Sequence, residues 1–404
     1  MPTTEPITKS VDFTGRRLDL AFMLLRGYAL MVPTIGLNRF WLTTSKRRFY
    51  WGHTALGGDA LEYTGNAQQL LVGFLMALAV FLPLYGLFFF LSTQSMELAI
   101  TGYGCVAVGI WFLTGYAVYR ARDFRLSRTL WRGIRFDLTG NPWGYGARRF
   151  FWSLLNVATL GLAYPFMSAN LWAYRYRHTW FGDRAFSFVG SWKRLAFPYY
   201  GAWLIGAGLV VYGIVIAEQG RLFEPLENYD PDPGAIGQLL ILGLILGILI
   251  TIYRAAEMTR MFSAIRLGDA ALTVRIGAFD LIGQYALFGL ALIVAYLLLA
   301  AGGAFVLGLV APDAFAGGGF DFSALMRSMQ SSVTTLLAIV LGYLLLFAAF
   351  SFVSELFLGF GFWRLVCKRA SVNGLETLAD IRARAEDKAL AGEGLADALN
   401  VGGY

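Results

Sequence analysis

One stretch of this chain occurs twice, and any fold has to accommodate both copies. Residues 34–65 read TIGLNRFWLTTSKRRFYWGHTALGGDALEYTG and residues 159–190 read TLGLAYPFMSANLWAYRYRHTWFGDRAFSFVG, aligned without a gap at an offset of 125. Thr34, Gly36, Leu37, His53, Thr54, Gly57, Ala60 and Gly65 recur as Thr159, Gly161, Leu162, His178, Thr179, Gly182, Ala185 and Gly190, eight identities in 32 positions. Of the remaining positions fewer than half, Ile35 with Leu160 and Phe49 with Tyr174 among them, exchange one apolar or aromatic residue for another. The same offset lays Thr14-Gly15 on Thr139-Gly140, so the copied unit begins earlier than the aligned stretch.

What the copies are made of decides the class. Of 404 residues 57% are hydrophobic and 15% are charged, against roughly 25% charged in soluble domains. Several apolar runs reach the roughly 20 residues that a helix needs to cross a bilayer; the candidates are residues 70–91, 98–119, 195–217, 239–252, 281–310 and 333–365. The opening MPTTEPITKSVDFTG lacks a basic segment followed by an apolar one, so no cleavable signal peptide is expected. Cys105 lies inside a span and Cys367 at the end of another; both are expected to be unpaired core residues, not a disulfide framework.

Between the spans lie shorter elements. Residues 11–15 alternate apolar and polar, as a half-buried strand does. Residues 18–31 are apolar but hold Asp19 and Arg26; as a helix they cover only about 21 Å of a hydrocarbon core of roughly 30 Å. They end at Pro33-Thr34-Ile35-Gly36, and residues 37–51 then mix Phe40, Trp41 and Phe49 with Arg39, Lys46, Arg47 and Arg48, a composition suited to the headgroup layer. Residues 54–64 read as strand, Gly57-Gly58-Asp59 turn and strand. The second copy follows the same order: a strand over 131–140, an apolar arm over 150–157, a break at 159–165, an aromatic and basic stretch over 172–178 and a hairpin over 181–189. Arg260 to Gly277 repeats the basic stretch and hairpin in shortened form. The domains read from this are a tail at 1–10, membrane repeats at 11–119 and 120–253, a partial third repeat at 254–370 and a cytoplasmic tail at 371–404, charged and helix-like at first.

Charge sets the expected topology. Residues 119–149, read as a loop, hold eight arginines against Asp123 and Asp137, and residues 173–194 hold Arg175, Arg177, Arg184, Lys193 and Arg194 against Asp183. Residues 218–232 instead hold five acids against Arg221, and residues 311–332 hold Asp313 and Asp321 against Arg327. Basic loops face the cytoplasm, a rule that fails if every apolar run spans. The conflict disappears if the segments around 18–41 and 150–172 enter and leave by one face. The fold class expected is an α-helical polytopic membrane protein with about six transmembrane helices, two re-entrant or interfacial helical hairpins and small cytoplasmic β-hairpins, one sheet per copy, with both termini cytoplasmic.

Several residue groups resemble a known family. They are Phe13-Thr-Gly15, Thr34-Ile-Gly36, Arg47-Arg48-Phe49, His53-Thr54 and the 57–65 hairpin, then Trp131-Arg-Gly-Ile-Arg-Phe136, Thr159-Leu-Gly-Leu162 and Phe186-Ser-Phe-Val-Gly190. As a set, covering nearly all of residues 11–370, this chain resembles the YjgN-like bacterial inner-membrane proteins, a family known as a domain of unknown function. The resemblance implies an inner-membrane location and no established activity, and it points to a membrane-bound zinc metallopeptidase as a partner.

Candidate site residues follow from polarity in apolar surroundings. Thr34, Gly36, Thr159 and Gly161 sit at the paired breaks, with Arg26 and Asn156 on the arms beside them. Paired broken helices often mark binding sites in transporters; the alternative is a plain turn in which Gly supplies backbone freedom and Thr caps the next helix. Glu355 lies in a long apolar run, where a carboxylate is either functional or at the interface. His53 and His178 occupy equivalent positions and read as structural residues before each hairpin, because no His-x-x-x-His spacing accompanies them. No cofactor or metal is called for, no Ser-His-Asp, His-Glu-x-x-His or phosphate-loop pattern supports an enzyme, and arginines lying against a membrane speak for anionic lipid over nucleic acid. Two classes remain: transport or lipid and small-anion handling at the broken helices, and a non-catalytic scaffold or regulator of a membrane partner.

Overall fold

A computed structural model describes residues 8–224 and 232–384, so Glu227, Asp230 and the tail beyond residue 384 lie outside the described residues. Strands and helices alternate as β1 (Thr8–Phe13), α1 (Arg17–Met31), α2 (Arg39–Gly52), β2 (Thr54–Leu56), β3 (Asp59–Tyr63), α3 (Ala67–Ser92), α4 (Met96–Ser127), β4 (Thr129–Trp131) and β5 (Ile134–Leu138). Then come α5 (Pro142–Ala158), α6 (Tyr164–Arg177), β6 (Thr179–Phe181), β7 (Arg184–Phe188), α7 (Trp192–Gln219), α8 (Pro233–Phe262), β8 (Ile265–Leu267) and β9 (Ala270–Val274). The last elements are α9 (Ala278–Val310), α10 (Phe322–Ser331), α11 (Val333–Val353), a π-helical turn (Ser354–Gly359), α12 (Phe360–Arg369) and β10 (Ala370–Asn373). Among the described residues six helical stretches are long and apolar enough to cross a membrane: α3, α4, α7, α8, α9 and Val333–Arg369.

The chain divides into two compact units. The first holds the ten strands found among the described residues with α2 to α8, and these strands close into one antiparallel barrel in the order β1-β10-β9-β8-β7-β6-β5-β4-β3-β2. This corrects the expectation of a separate small sheet for each copy. Strands of three to six residues in two- or three-stranded sheets would expose rows of unpaired backbone groups, and closure removes every edge. Within each copy the first strand does pair with the hairpin that follows it, Val11 opposite Leu56 and Phe136 opposite Phe181. Such strands are far shorter than the roughly 9–11 residues of a membrane-crossing strand.

Successive strands are joined alternately by a tight turn and by a helical excursion. Turns at Gly57-Gly58 (φ 63° and 97°) and Arg132-Gly133 (φ 53° and 73°) place two residues in the left-handed region, as two-residue hairpins with the native twist require. The second of these interrupts what the alternation of residues 131–140 suggested was one strand. Likewise, the arginine-rich segment read as a loop from residue 119 is helical through Ser127. At the other rim the same bond closes each ladder: the amides of Thr14, Thr64, Thr139, Val189 and Arg275 donate to the carbonyls of His53, Arg128, His178, Ala264 and Arg369 at 2.9–3.1 Å.

The barrel is filled. Trp131, Phe181, Leu267 and Ala270 are buried with Leu375, Leu378 and Ile381, and Leu56, Leu61, Phe136 and Phe186 pack around them. Ring centroids of Trp131 and Phe136 stand 5.5 and 4.7 Å from that of Phe181. Residues 371–373, the start of the segment read as a tail, belong to β10, and the 3₁₀ turn Leu375–Leu378 lays its apolar residues on the tight-turn end of the core. Asp183 and Arg382 clasp this segment, the Asp183 amide donating to Arg382 O at 3.1 Å.

The second unit comprises α1, the first break and residues 282–364. Ala311, Ala314, Ala324 and Leu325 form a small core where α9 turns into α10 and α11. Fully buried Thr335 donates to Val310 O at 3.1 Å, and Asp321 caps α10 by accepting the Ser323 and Ala324 amides. The π turn carries Glu355, and Gln284 donates to the Phe357 carbonyl inside it.

Candidate functional site

The two short excursions each break at the same kind of turn. Leu160 (φ 51°) and Gly161 (φ 94°) follow α5 in left-handed conformation, and the Gly161 amide reaches back to Asn156 O at 2.7 Å, ending the helix. Thr159 Oγ1 donates to Leu155 O at 2.8 Å and accepts the Ala163 amide at 3.1 Å, so it caps both arms. Pro165 then starts α6. The first break copies this geometry: Ile35 (φ 49°), Gly36 (φ 80°), Gly36 N–H to Met31 O at 2.8 Å, and Thr34 Oγ1 between Leu30 O at 2.6 Å and the Asn38 amide at 3.1 Å. Backbone groups freed by the breaks are therefore largely satisfied by their own loop.

The second break is also held from outside. Carbonyls of Leu160, Gly161 and Leu162 accept from Trp203 Nε1 at 2.8 Å, Tyr199 OH at 2.6 Å and Tyr200 OH at 3.1 Å, all from the early turns of α7. At the repeat offset those donors correspond to Phe74, Leu75 and Leu78, which have none to give. The two breaks are alike in backbone and different in support.

Beneath the second break lies a buried carboxylate. Glu257, on α8, is 4% exposed. Its carboxylate accepts from Ser168 Oγ at 2.5 Å and from Tyr164 OH at 3.1 Å, both on α6, and pairs with Arg254 at 3.4 Å. Tyr164 stacks on Tyr199 with centroids 5.2 Å apart, and both rings meet Tyr253 edge-on. Burial first, and then the Glu257 charge, push the Tyr164 phenol well above its ordinary range, so it stays a donor. The Tyr253 hydroxyl is buried with no hydrogen-bond partner among the described residues. α4 carries a related pair, Arg120 and buried Asp123 at 3.2 Å. This spacing was visible in sequence, since Tyr119-Arg-Ala and Tyr253-Arg-Ala are each followed by an acid three residues after the arginine; Glu257 was missed because it falls beyond the expected span 239–252, in a segment read as basic and outside the apolar run.

The remaining candidates are dispersed. Arg26 is exposed. Asn156 lends its carbonyl to Gly161, while its buried Oδ1 has no partner among the described residues. Glu355 is 8% exposed in the π turn, in the unit that also holds Thr34, Gly36 and Arg26. His53 and His178 each place Nδ1 against the carbonyl four residues earlier, Phe49 O at 2.8 Å and Tyr174 O at 2.7 Å, and lie tilted against that residue's ring. Since Arg128, Ala264 and Arg369 fill the same position in the other ladders, the position accepts other side chains. No group of three or more His, Cys, Asp or Glu among the described residues could hold a metal. Cys105 is exposed, contrary to its expected place in a core, and Cys367 is buried.

No curated protein and no solved structure matches this chain. A family described as bacterial proteins of unknown function, DUF898, matches residues 8–294. With that match covering the first nine strands and the excursions between them, and with six helices fit to span a membrane, the chain belongs to the DUF898 family of bacterial proteins, as the resemblance to YjgN-like proteins led one to expect.

Proposed function

We propose that this is an integral inner-membrane protein that handles an anionic lipid headgroup or small anion at the membrane face beside its barrel, with barrel and basic segments in the cytoplasm. Strand pairing carries the reading. Phe13 lies opposite Thr54 and Leu138 opposite Thr179, so each short excursion leaves and returns at one rim of the barrel. A segment tied at both ends to one rim crosses a membrane twice or not at all, and arms of 15 and 14 or 17 and 14 residues lie at or below the short end of what a crossing helix needs. That supports two re-entrant hairpins and six spans. It also gathers on one side the basic residues that the sequence scatters, in accord with the positive-inside rule.

The tip and arms of the second hairpin suit lipid: Val157 and Leu160 are 66% and 80% exposed, while guanidiniums nearer the rim lie on rings, Arg148 over Tyr174 and Arg175 over Trp172. A filled barrel offers no conduit, which favours headgroup handling over passage of a solute. The scaffold reading draws on the spans themselves, of which no more than 11% of any apolar window is buried; lipid or partner helices must cover them. Single cysteines placed after Lys46, Arg128, Arg184 and Arg266 in a Cys-free background should react only from the cytoplasmic side, and one beside Asp313 only from the other. Opposite labelling at residue 12 and after Lys46 would break the re-entrant reading, and binding to vesicle lipids indifferent to anionic content would remove the lipid reading.

A further inference from the structure

Where β9, β10 and β1 run side by side, the barrel wall carries a polar concavity of about 370 Å³ lined by Thr8, Thr273, Arg275, Arg369, Ser371 and Asn373. The register explains its make-up. Ser371 lies opposite Thr273, and Asn373 opposite Thr8, so hydroxyl and amide side chains from adjacent strands share one face. The Arg275 amide donates to Arg369 O, which brings the two arginines to one level of the sheet. Asp280 engages Arg369 at 2.9 Å. No ion pair or side-chain hydrogen bond engages Arg275, Thr8, Thr273 or Ser371 among the described residues, and Asn373 Oδ1 is buried with no donor.

Two guanidiniums against one carboxylate leave a net positive site, and hydroxyls beside them add donors that turn with the ligand. The orphan acceptor on Asn373 asks for a donor next to the anion. We infer that this concavity binds a phosphate ester carrying a neighbouring hydroxyl, of the glycerol-phosphate type. The inference rests on the membrane reading for its source: α9 begins at Ala278, three residues after Arg275, and the apolar run Val333–Arg369 ends at Arg369. The pocket is thus flanked by the chain ends of two apolar helices, at the depth where headgroups lie. Phosphatidylglycerol presents the required group there, and free glycerol phosphate presents the same group from solution.

The test uses the full-length protein purified in neutral detergent, with short-chain phosphatidylglycerol, short-chain phosphatidylcholine, glycerol 3-phosphate and inorganic phosphate as probes in calorimetry or native mass spectrometry. Phosphatidylglycerol is expected to bind saturably and phosphatidylcholine weakly. Arg275→Gln should weaken phosphatidylglycerol binding about tenfold or more, as loss of a charge-assisted contact does. Thr273→Val with Ser371→Ala, which leaves both arginines in place, should weaken it severalfold, and this pair keeps the test open if Arg275→Gln fails to fold. Glycerol 3-phosphate binding as tightly as the lipid would uphold the site and assign it to a soluble ester. Equal binding of phosphatidylglycerol and phosphatidylcholine, or wild-type affinity in folded forms of both variants, overturns it. Binding in detergent does not depend on which side of the membrane the barrel faces, so failure of the topology reading and failure of this site are separate results.

Discussion

Replacing Glu257 by Ala removes the acceptor on which two helices converge. Ser168 Oγ and Tyr164 OH, both donating to it across α6, would be left in a site where Glu257 itself is 4% exposed. Each buried hydroxyl stranded in this way costs about 1–3 kcal/mol. The Arg254 side chain is 54% exposed and rehydrates when its partner goes, so its share is small, unlike that of a fully buried ion pair. The sum is about 2–6 kcal/mol. Glu257→Gln keeps the shape and one acceptor oxygen, and should lose about 1–2 kcal/mol. Cys367, 6% exposed in the same unit, provides the assay: in a Cys105→Ser background a thiol-reactive dye reports its exposure on heating in detergent. The order of midpoints should be wild type, Glu257→Gln, Glu257→Ala. An alanine variant that melts with the wild type would show that the cluster contributes nothing to holding α6 on α8.

Two further outcomes follow from the same contacts. Valine at Gly36 or Gly161 meets the left-handed strain of about 1–2 kcal/mol, but only at Gly161 would the added carbon also press on Trp203 Nε1 and Tyr199 OH, 3.2 Å away, whereas nothing lies within 4 Å at Gly36. The midpoint of Gly161→Val should therefore fall further than that of Gly36→Val, and equal midpoints would refute the bracing role of α7. Burial and the Glu257 charge raise the Tyr164 proton affinity in the folded state; the sign makes its contribution fully present below the ordinary tyrosine range near pH 10 and lost as pH climbs toward the folded value. Chemical denaturation across pH 8–12 should show stability declining above about pH 10, with a shallower decline in Tyr164→Phe; an unchanged slope in that variant would refute the assignment.

Much of this molecule is local and could be read from residues. Apolar run length marks six helices, and Gly57-Gly58 marks a hairpin. The Thr-x-Gly pattern marks both breaks, because the left-handed backbone there depends on neighbours within five residues. The stretches repeated at an offset of 125 lie on matching elements, α2-β2-β3 and α6-β6-β7. What each short strand pairs with was less legible. Strands of three to six residues carry one or two alternations, enough to say which side chains share a face but too few to tell separate sheets from a closed barrel. Closure depends on β1 meeting β10, with Thr8 opposite Asn373, and nothing in either tripeptide's pattern names a partner that far along the chain. The same holds for Glu257, whose acceptor role appears only when Ser168, 89 residues earlier, is brought beside it. Backbone turns and apolar length are set by nearest neighbours and are written in order along the sequence. Edge pairing and the satisfaction of buried polar groups are set by distant ones, and only the folded chain decides them.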